Sequence, residues 1–436
     1  MNRFRPLGLL TAAAVAVTVL AAGCAGPTAE PAPTALPGPV QSNTQPSGRP
    51  SSPSPSAAPS GPGAPSGGAS PGEPTASPTA APTPELTPEP TPEPTPGTPD
   101  LSLVAGWTLE EKVGQIVMVG LPVAGPFQPT FNMVRNQRIG GVFLHGRTRA
   151  GRQPVKNLVD AAVSAAAQGR EPLFVATDQE GGEVQVLRGP GFSDMPSALD
   201  QAKMSAPDLR ARSRTWGAQL AAAGVNLNLA PVLDLVPPGT ASSNAPIGAF
   251  GRNYGYTTES VITHGNAFAQ GQRDAGVQTS IKHFPGLGRV TANTDTTAGV
   301  TDTVTGPDDP SVAVFDSGIE AGSGLVMMSS AIYTKIDPDA PAVFSPTAVG
   351  LVRELGFDGV IISDDLSAAV QVESVPAGAR AVRAVDAGVD VVLASARPTV
   401  APAMVNALIR TARSDPGFAA KVDAAAARVA AAKADL

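Results

Sequence analysis

Ionisable side chains recur at the ends of the apolar runs in this sequence. Asp178 closes PLFVATD, Asp234 follows VNLNLAPV, Lys282 and His283 stand near the end of VQTSIKHF, and Asp364 with Asp365 closes GVIISDD; Ser329 stands near the end of a further run, GLVMMSS. A carboxylate can serve as nucleophile, general acid or general base, and lysine and histidine can hydrogen-bond a polar substrate. A lone aspartate after a strand is more often a loop cap, but four runs that end in ionisable groups point to a shared site. Neighbouring strand residues face opposite sides, so alternation alone leaves Asp364 and Asp365 equal candidates. Metal chemistry fits poorly, because the three histidines, His145, His264 and His283, and the single cysteine, Cys24, show no ligand spacing.

The elements that must position these residues alternate along the chain. β-branched, nearly continuous apolar runs occupy 116–121, 140–145, 172–178, 225–232, 277–284, 324–330, 359–365 and 389–395, and amphipathic or Ala-rich stretches such as 154–168, 208–223, 257–275, 345–355 and 400–413 lie between them. Thr108 and Glu111 form an S/T-x-x-E capping box that starts the first helix. Apolar strands separated by helices indicate a parallel sheet covered by helices. Eight such units indicate an α/β fold, a closed (β/α)8 TIM-type barrel, over residues 101–436, with a last helix near 419–434. An open doubly wound sheet would show a Gly-rich phosphate loop after its first strand, and none is present. In the barrel, the polar strand ends converge on the C-terminal face.

The N-terminal part is built differently. Residues 1–23 combine Arg3 and Arg5 with an apolar run that closes on small residues, the layout of an export signal. Cys24 follows directly and resembles the lipidated cysteine of a bacterial lipoprotein, so the expectation is an extracytoplasmic protein held to the membrane by a lipid anchor. Residues 24–100 read as a disordered tether: the stretch 27–100 holds half of the 46 prolines, no aromatic residue and the tandem run TPEPTPEPTP. At ~3.1 Å per residue it would reach roughly 230 Å fully extended. The formal charge is −7, and no basic stripe with interleaved aromatics suggests a nucleic-acid partner.

DQEGG (178–182), KHFPGLG (282–288) and GFDGVIISDDL (356–366), together with TLEEKVGQ and APVLDL, resemble glycoside hydrolase family 3, in particular its single-domain β-N-acetylglucosaminidase branch. The resemblance runs from Leu103 to the C-terminus. It implies a monomeric, retaining exo-glycosidase that removes terminal β-linked N-acetylglucosamine from cell-wall muropeptide fragments through a covalent glycosyl-aspartate. Asp364 matches the family nucleophile. Asp178, Lys282 and His283 match positions that bind sugar hydroxyls, with the histidine neutral and donating, and Arg252 in IGAFGRNYG matches an arginine that reaches the substrate. Asp234 would hold the Arg252 loop or touch substrate. No cofactor is implied, since glycosyl transfer to water needs only two positioned carboxyl groups.

Two departures qualify the resemblance. The family branch carries KHFPGHG followed by a mobile loop with Asp-Ser-His, whose histidine is the general acid/base; here Leu287 replaces one histidine and Asn293-Thr294-Asp295 replaces the triplet. Asp295 then stands in the slot of the missing acid/base, with Asp302 or another carboxylate as the alternative. An aspartate there would repel phosphate, favouring hydrolysis over phosphorolysis. Glu183 stands where arginine is usual and would add negative charge at the sugar-binding edge. A β-glucosidase or β-xylosidase specificity, or a sugar-binding lipoprotein without catalysis, are the competing readings.

Overall fold

The computed structural model describes residues 97–166, 171–434 and 436. The export signal, Cys24 and nearly all of the Pro-rich tether lie outside the described residues. Within them, β1 (Val117–Pro122), β2 (Gly141–His145), β3 (Phe174–Thr177), β4 (Leu227–Asn228), β5 (Gln278–Phe284), β6 (Leu325–Met328), β7 (Val360–Asp365) and β8 (Val391–Ala394) form a closed barrel. Each strand pairs in parallel with its neighbours in chain order, and β8 closes on β1 through Val117–Val392 and Met118–Leu393.

The strands read as continuous apolar runs because both of their faces are covered, one by the barrel interior and one by helices. All of Val117–Leu121, Phe174–Thr177 and Leu325–Met328 are buried. β4 is the shortest strand. Pro231 cannot donate to a ladder, and the chain rejoins β5 only at the single bridge between Val232 and Lys282.

Helices Arg152–Ala166, Ala206–Ala221, Thr258–Arg273, Pro346–Glu354 and Ala401–Ser414 fall within a few residues of the expected stretches. Gln128–Gln137, Pro310–Glu320 and Ala377–Ala387 supply the helices after β1, β5 and β7. Side-chain caps fix several starts. Thr108 and Glu111 exchange bonds at 2.7 and 3.2 Å, and Ser205, Thr257, Asp309, Ser345 and Asp415 each accept a backbone N–H of the first turn.

The last helix, Pro416–Lys433, closes the N-terminal end of the barrel. Lys433 is fully enclosed there, its Nζ donating to Gln115 Oε1 at 2.6 Å and to the Gly140 carbonyl at 2.7 Å, over the Phe174 ring at 4.9 Å. Burial pushes this amine down to about 7, while the unfolded chain keeps its proton to about 10.5. Between those values the unfolded state binds more protons, so the stability contribution rises with pH. The unfolding free energy of the wild type minus that of Lys433→Met should therefore increase between pH 7 and pH 9.5 in denaturant titrations; a flat or falling difference would contradict a depressed amine.

Candidate active site

The C-terminal ends of β2 to β8 surround a cavity of about 200 Å³ whose lining includes Asp178, Arg252, Lys282, His283, Asp295 and Asp364. Three strand ends and two loops thus bring the six candidate residues to one place.

Their scaffold is a cluster of buried charges. Lys282 Nζ lies 2.6 Å from Asp178 Oδ1 and 2.6 Å from Glu180 Oε1. Arg252 grips the same Glu180 with two parallel bonds, Nε to Oε2 and Nη2 to Oε1, both at 2.8 Å, and donates its remaining nitrogen to the Pro246 carbonyl at 2.8 Å. Although burial works against its charge, the Arg252 and Lys282 cations hold the Glu180 carboxyl down at about 2. Burial likewise disfavours the Lys282 ammonium, but Asp178 and Glu180 hold it above its ordinary range. Both side chains are therefore ionised and pinned. Gln179 fixes the turn carrying Glu180: its backbone N–H donates to Asn228 Oδ1 at 3.0 Å, and its side chain exchanges two bonds with Leu187.

His283 is held from behind. Asp234 is fully buried and places Oδ2 2.7 Å from His283 Nδ1, while Oδ1 accepts the backbone N–H groups of His283 at 3.1 Å and Leu287 at 2.8 Å. Asp234 thus holds the KHFPGLG segment and neither lines the cavity nor bonds the Arg252 loop. A carboxylate facing Nδ1 puts the proton on that nitrogen. With Nδ1 carrying a proton, Nε2 is an acceptor in the neutral ring and a donor only in the imidazolium, which corrects the expectation that a neutral His283 donates. The Lys282–His283 and Phe284–Pro285 bonds are both cis, and the register against β6 shifts between Lys282 and Phe284.

Asp364 and Asp365 both line the cavity, yet their environments differ. Asp365 accepts from Ser367 N at 2.8 Å, Ser367 Oγ at 2.6 Å, Ala368 N at 3.2 Å, Ser395 N at 2.9 Å and Ala396 N at 3.4 Å. It ties the loop after β7 to the end of β8. Among the described residues Asp364 accepts only the N–H of Asp365, at 2.8 Å, which leaves its other oxygen without a partner there. Across the cavity stands Asp295. The residue keeps an exposed side at the cavity mouth, but protein crowds its inner side: burial, then the negative charge of Asp364, push its carboxyl up to about 6, against the pull of His283 and Arg252.

The loop carrying Asp295 is fastened rather than loose. Gln371 N donates to the Thr294 carbonyl at 3.0 Å, Val370 N to the Asp295 carbonyl at 3.3 Å, and the Gln371 side chain brackets Val300 at 2.8 and 3.2 Å. The resemblance implies a mobile loop here, whereas the turn at 370–372 receives this one.

Other expected residues fall elsewhere. Asp302 is buried outside the cavity, capping Val304 N, Thr305 N and Thr305 Oγ1 at 2.7, 2.8 and 2.7 Å, so it drops out as the alternative acid. Ser329 accepts from Ala331 N and Tyr333 OH, both at 3.0 Å, and stays out of the cavity. Glu183 points away from the sugar-sized cavity into a second one shared with arginines. The residue missed at the sequence level is Glu180. It lies inside DQEGG, and its signal was a charged residue that the barrel must bury between a lysine and an arginine already singled out.

Comparisons with known proteins identify the family and relatives of this chain. The glycosyl hydrolase family 3 N-terminal domain model matches residues 108–432. A crystal structure of a β-N-acetylhexosaminidase from Beutenbergia cavernae is 54% identical with a TM-score of 0.74, covering 76% of this chain and 99% of that one. A family 3 β-N-acetylglucosaminidase from Paenibacillus is 29% identical with a TM-score of 0.68, covering 76% and 63%. A β-hexosaminidase of Stenotrophomonas maltophilia is 34% identical over 273 residues, 60% of this chain and 77% of the relative.

Glu180→Gln leaves two buried cations with one carboxylate fewer. The change should destabilise the fold by roughly 3 kcal/mol, as expected for breaking a buried ion pair. It should also lower kcat/KM about 100-fold by loosening Lys282 and Arg252; unchanged melting and kinetics would remove Glu180 from this role.

Proposed function

The chain belongs to glycosyl hydrolase family 3 and is a glycoside hydrolase, and on that premise we propose that it is a retaining, exo-acting β-N-acetylhexosaminidase. Asp364 attacks the anomeric carbon while Asp295, protonated, delivers its proton to the leaving oxygen. The resulting sugar ester on Asp364 is then cleaved by water that the Asp295 carboxylate deprotonates. Asp178, Lys282, His283 and Arg252 hold the hydroxyls of one terminal sugar, and such bonds tighten as positive charge develops on the ring.

The observation that carries this reading is the division among the carboxylates of one cavity. One is under-bonded and able to attack, one has its proton held to about 6, and the third is consumed by loop contacts. Raising the Asp295 carboxyl beside a second carboxylate in this way supports its role as the acid. The choice of N-acetylglucosamine is supported by the names of the relatives above. Cell-wall fragments are the proposed source of that sugar, because a protein anchored at Cys24 after export would meet them. The proposed mature form is a lipid-anchored barrel domain, residues 101–436, on a Pro-rich tether, acting as a monomer.

For a substrate with a poor leaving group, the acid must carry its proton, so kcat/KM should fall as pH rises through about 6. Asp295→Asn should lose this limb and at least ~100-fold in rate on such a substrate, in keeping with loss of a general acid, while an aryl glycoside with a good leaving group suffers far less in its first step. Equal loss on both substrates, or a retained limb, would exclude Asp295 as the acid. Turnover of aryl β-glucoside in preference to the N-acetylglucosaminide would shift the specificity to the glucosidase reading, and sugar binding without any turnover would favour the non-catalytic one. Cys24→Ser should release the protein from the membrane fraction; unchanged partitioning would count against the anchor.

A further inference from the structure

The acid and the nucleophile of the proposed mechanism belong to different strand units, Asp295 to the loop after β5 and Asp364 to the end of β7. Retaining hydrolysis requires the two carboxyl groups at one separation, roughly 5 Å. Something must therefore set the gap between the two units, and the chain that follows Asp364 is built to do so.

That chain is itself braced. Asp365 fastens its start to the end of β8. Arg380, a buried side chain of helix Ala377–Ala387, gathers the rest: Nη1 donates to the Leu366 and Ser367 carbonyls at 2.7 and 3.1 Å, Nη2 to the Glu373 carbonyl at 3.2 Å and Nε to the Val375 carbonyl at 2.6 Å. Four carbonyls of one loop converge on a single guanidinium, and the turn Val370–Val372 lies between them in the chain.

From that turn Gln371 reaches the acid loop at two places. Its backbone N–H donates to the carbonyl of Thr294, one residue before Asp295, at 3.0 Å, and the Val370 N–H adds a bond to the Asp295 carbonyl at 3.3 Å. The Gln371 side chain is buried and takes up both polar groups of the Val300 backbone, Oε1 accepting the N–H at 2.8 Å and Nε2 donating to the carbonyl at 3.2 Å. Thr294 and Val300 are buried, whereas Asp-Thr-Thr-Ala-Gly between them is exposed and has no large apolar side chain to anchor it. One residue thus grips both ends of the acid loop. The Val300 carbonyl also accepts the Ile332 N–H at 3.0 Å. Removing the amide would therefore leave the Val300 N–H buried without an acceptor, and opening the loop to water relieves that cost.

We propose that Gln371 is a positioning residue for the reaction: it holds the Asp295 loop at a preset place over the nucleophile, so that proton delivery needs no loop closure. The inference rests on the reading of Asp295 as the acid. It makes the loop that follows the nucleophile the part that places the acid, so the two carboxyl groups share one frame. Within the held loop Asn293 Oδ1 accepts the Asp295 N–H at 2.8 Å, which fixes the backbone from which the acid projects.

The test is Gln371→Met, which keeps the bulk and the backbone bonds but removes the amide, assayed beside the wild type and Asp295→Asn on methyl and dinitrophenyl β-N-acetylglucosaminides, a poor and a good leaving group. Gln371→Met should lose about 30-fold in kcat/KM on the methyl glycoside, as for a displaced general acid, and less than about 3-fold on the dinitrophenyl glycoside. The limb near pH 6 should also move to lower pH. An opened loop takes Asp295 out of burial and away from Asp364 and Asp365, which raise its carboxyl, although it also leaves His283 and Arg252, which lower it. Equal losses on both glycosides with an unmoved limb would mean a merely structural part and overturn the proposal. A selective loss in Asp295→Asn but not in Gln371→Met would overturn it too and leave the acid reading standing; no selective loss in Asp295→Asn would remove that reading first and the proposal with it. Amide hydrogen exchange reads the loop without turnover. Protection of the Val300, Val370 and Gln371 N–H groups in the free wild type, unchanged by bound N-acetylglucosamine and lost in Gln371→Met, is the expected result. Protection gained only on binding would show a loop that closes and would overturn the preset arrangement.

Discussion

A single enclosed carboxylate, Glu180, sits between two cations that would otherwise be stranded in the barrel mouth. Removing Lys282 and Arg252 from water is costly, and only a pinned counter-charge makes it tolerable. The two parallel bonds from Arg252 and the contact to Lys282 therefore do more than fix one residue. They connect the segment after β3, the strand end of β5 and the loop after β4. Three independent stretches of chain acquire one geometry, and the sugar-sized cavity is the space they leave.

The same logic of satisfied and unsatisfied groups sorts the remaining carboxylates. Asp234 and Asp302 are saturated by N–H donors and serve as struts. Asp365 is saturated too, and its five contacts hold the β7 loop against β8. Among the described residues, Asp364 and Asp295 keep an oxygen for a ligand, as does Asp178 beyond its contact with Lys282, and all three face the same cavity. The repulsion between Asp364 and Asp295, added to burial, is what holds the proton on Asp295 into the mildly acidic range. In the proposed mechanism a loop aspartate takes up the proton transfer of the absent histidine, with a second carboxylate close by holding its proton.

The barrel was legible because parallel strands buried on both faces cannot alternate. Runs such as IVMVGL and GLVMMSS announce themselves without any knowledge of neighbours, and the Thr108 capping box marks the start of the first helix. Four of the six cavity-lining candidates, Asp178, Lys282, His283 and Asp364, were legible as polar residues at strand ends, and Arg252 and Asp295 through the resemblance to the family. What the sequence hid depends on partners distant in the chain. Glu180 gains its meaning from residues 72 and 102 positions away. The separation of Asp364 from Asp365 depends on amides of the β8 end, the proton position on His283 on Asp234, and the fastening of the Asp295 loop on Gln371. Glu183 belongs to the sugar site by its neighbours in sequence, but the antiparallel pairing of 179–181 with 184–185 turns it into the cavity lined by Arg147 and Arg149.

The central claim is that the under-bonded oxygen of Asp364 becomes covalently attached to a sugar. Incubation with a 5-fluoro N-acetylglucosaminyl donor, followed by peptide mass mapping and by NMR of the first-formed anomer, addresses it directly. One sugar mass on the peptide at Asp364, absent in Asp364→Asn, with the β configuration retained in the product, is the expected result. A label on Asp365, on Asp295 or on no residue, or release of the inverted anomer, would contradict it.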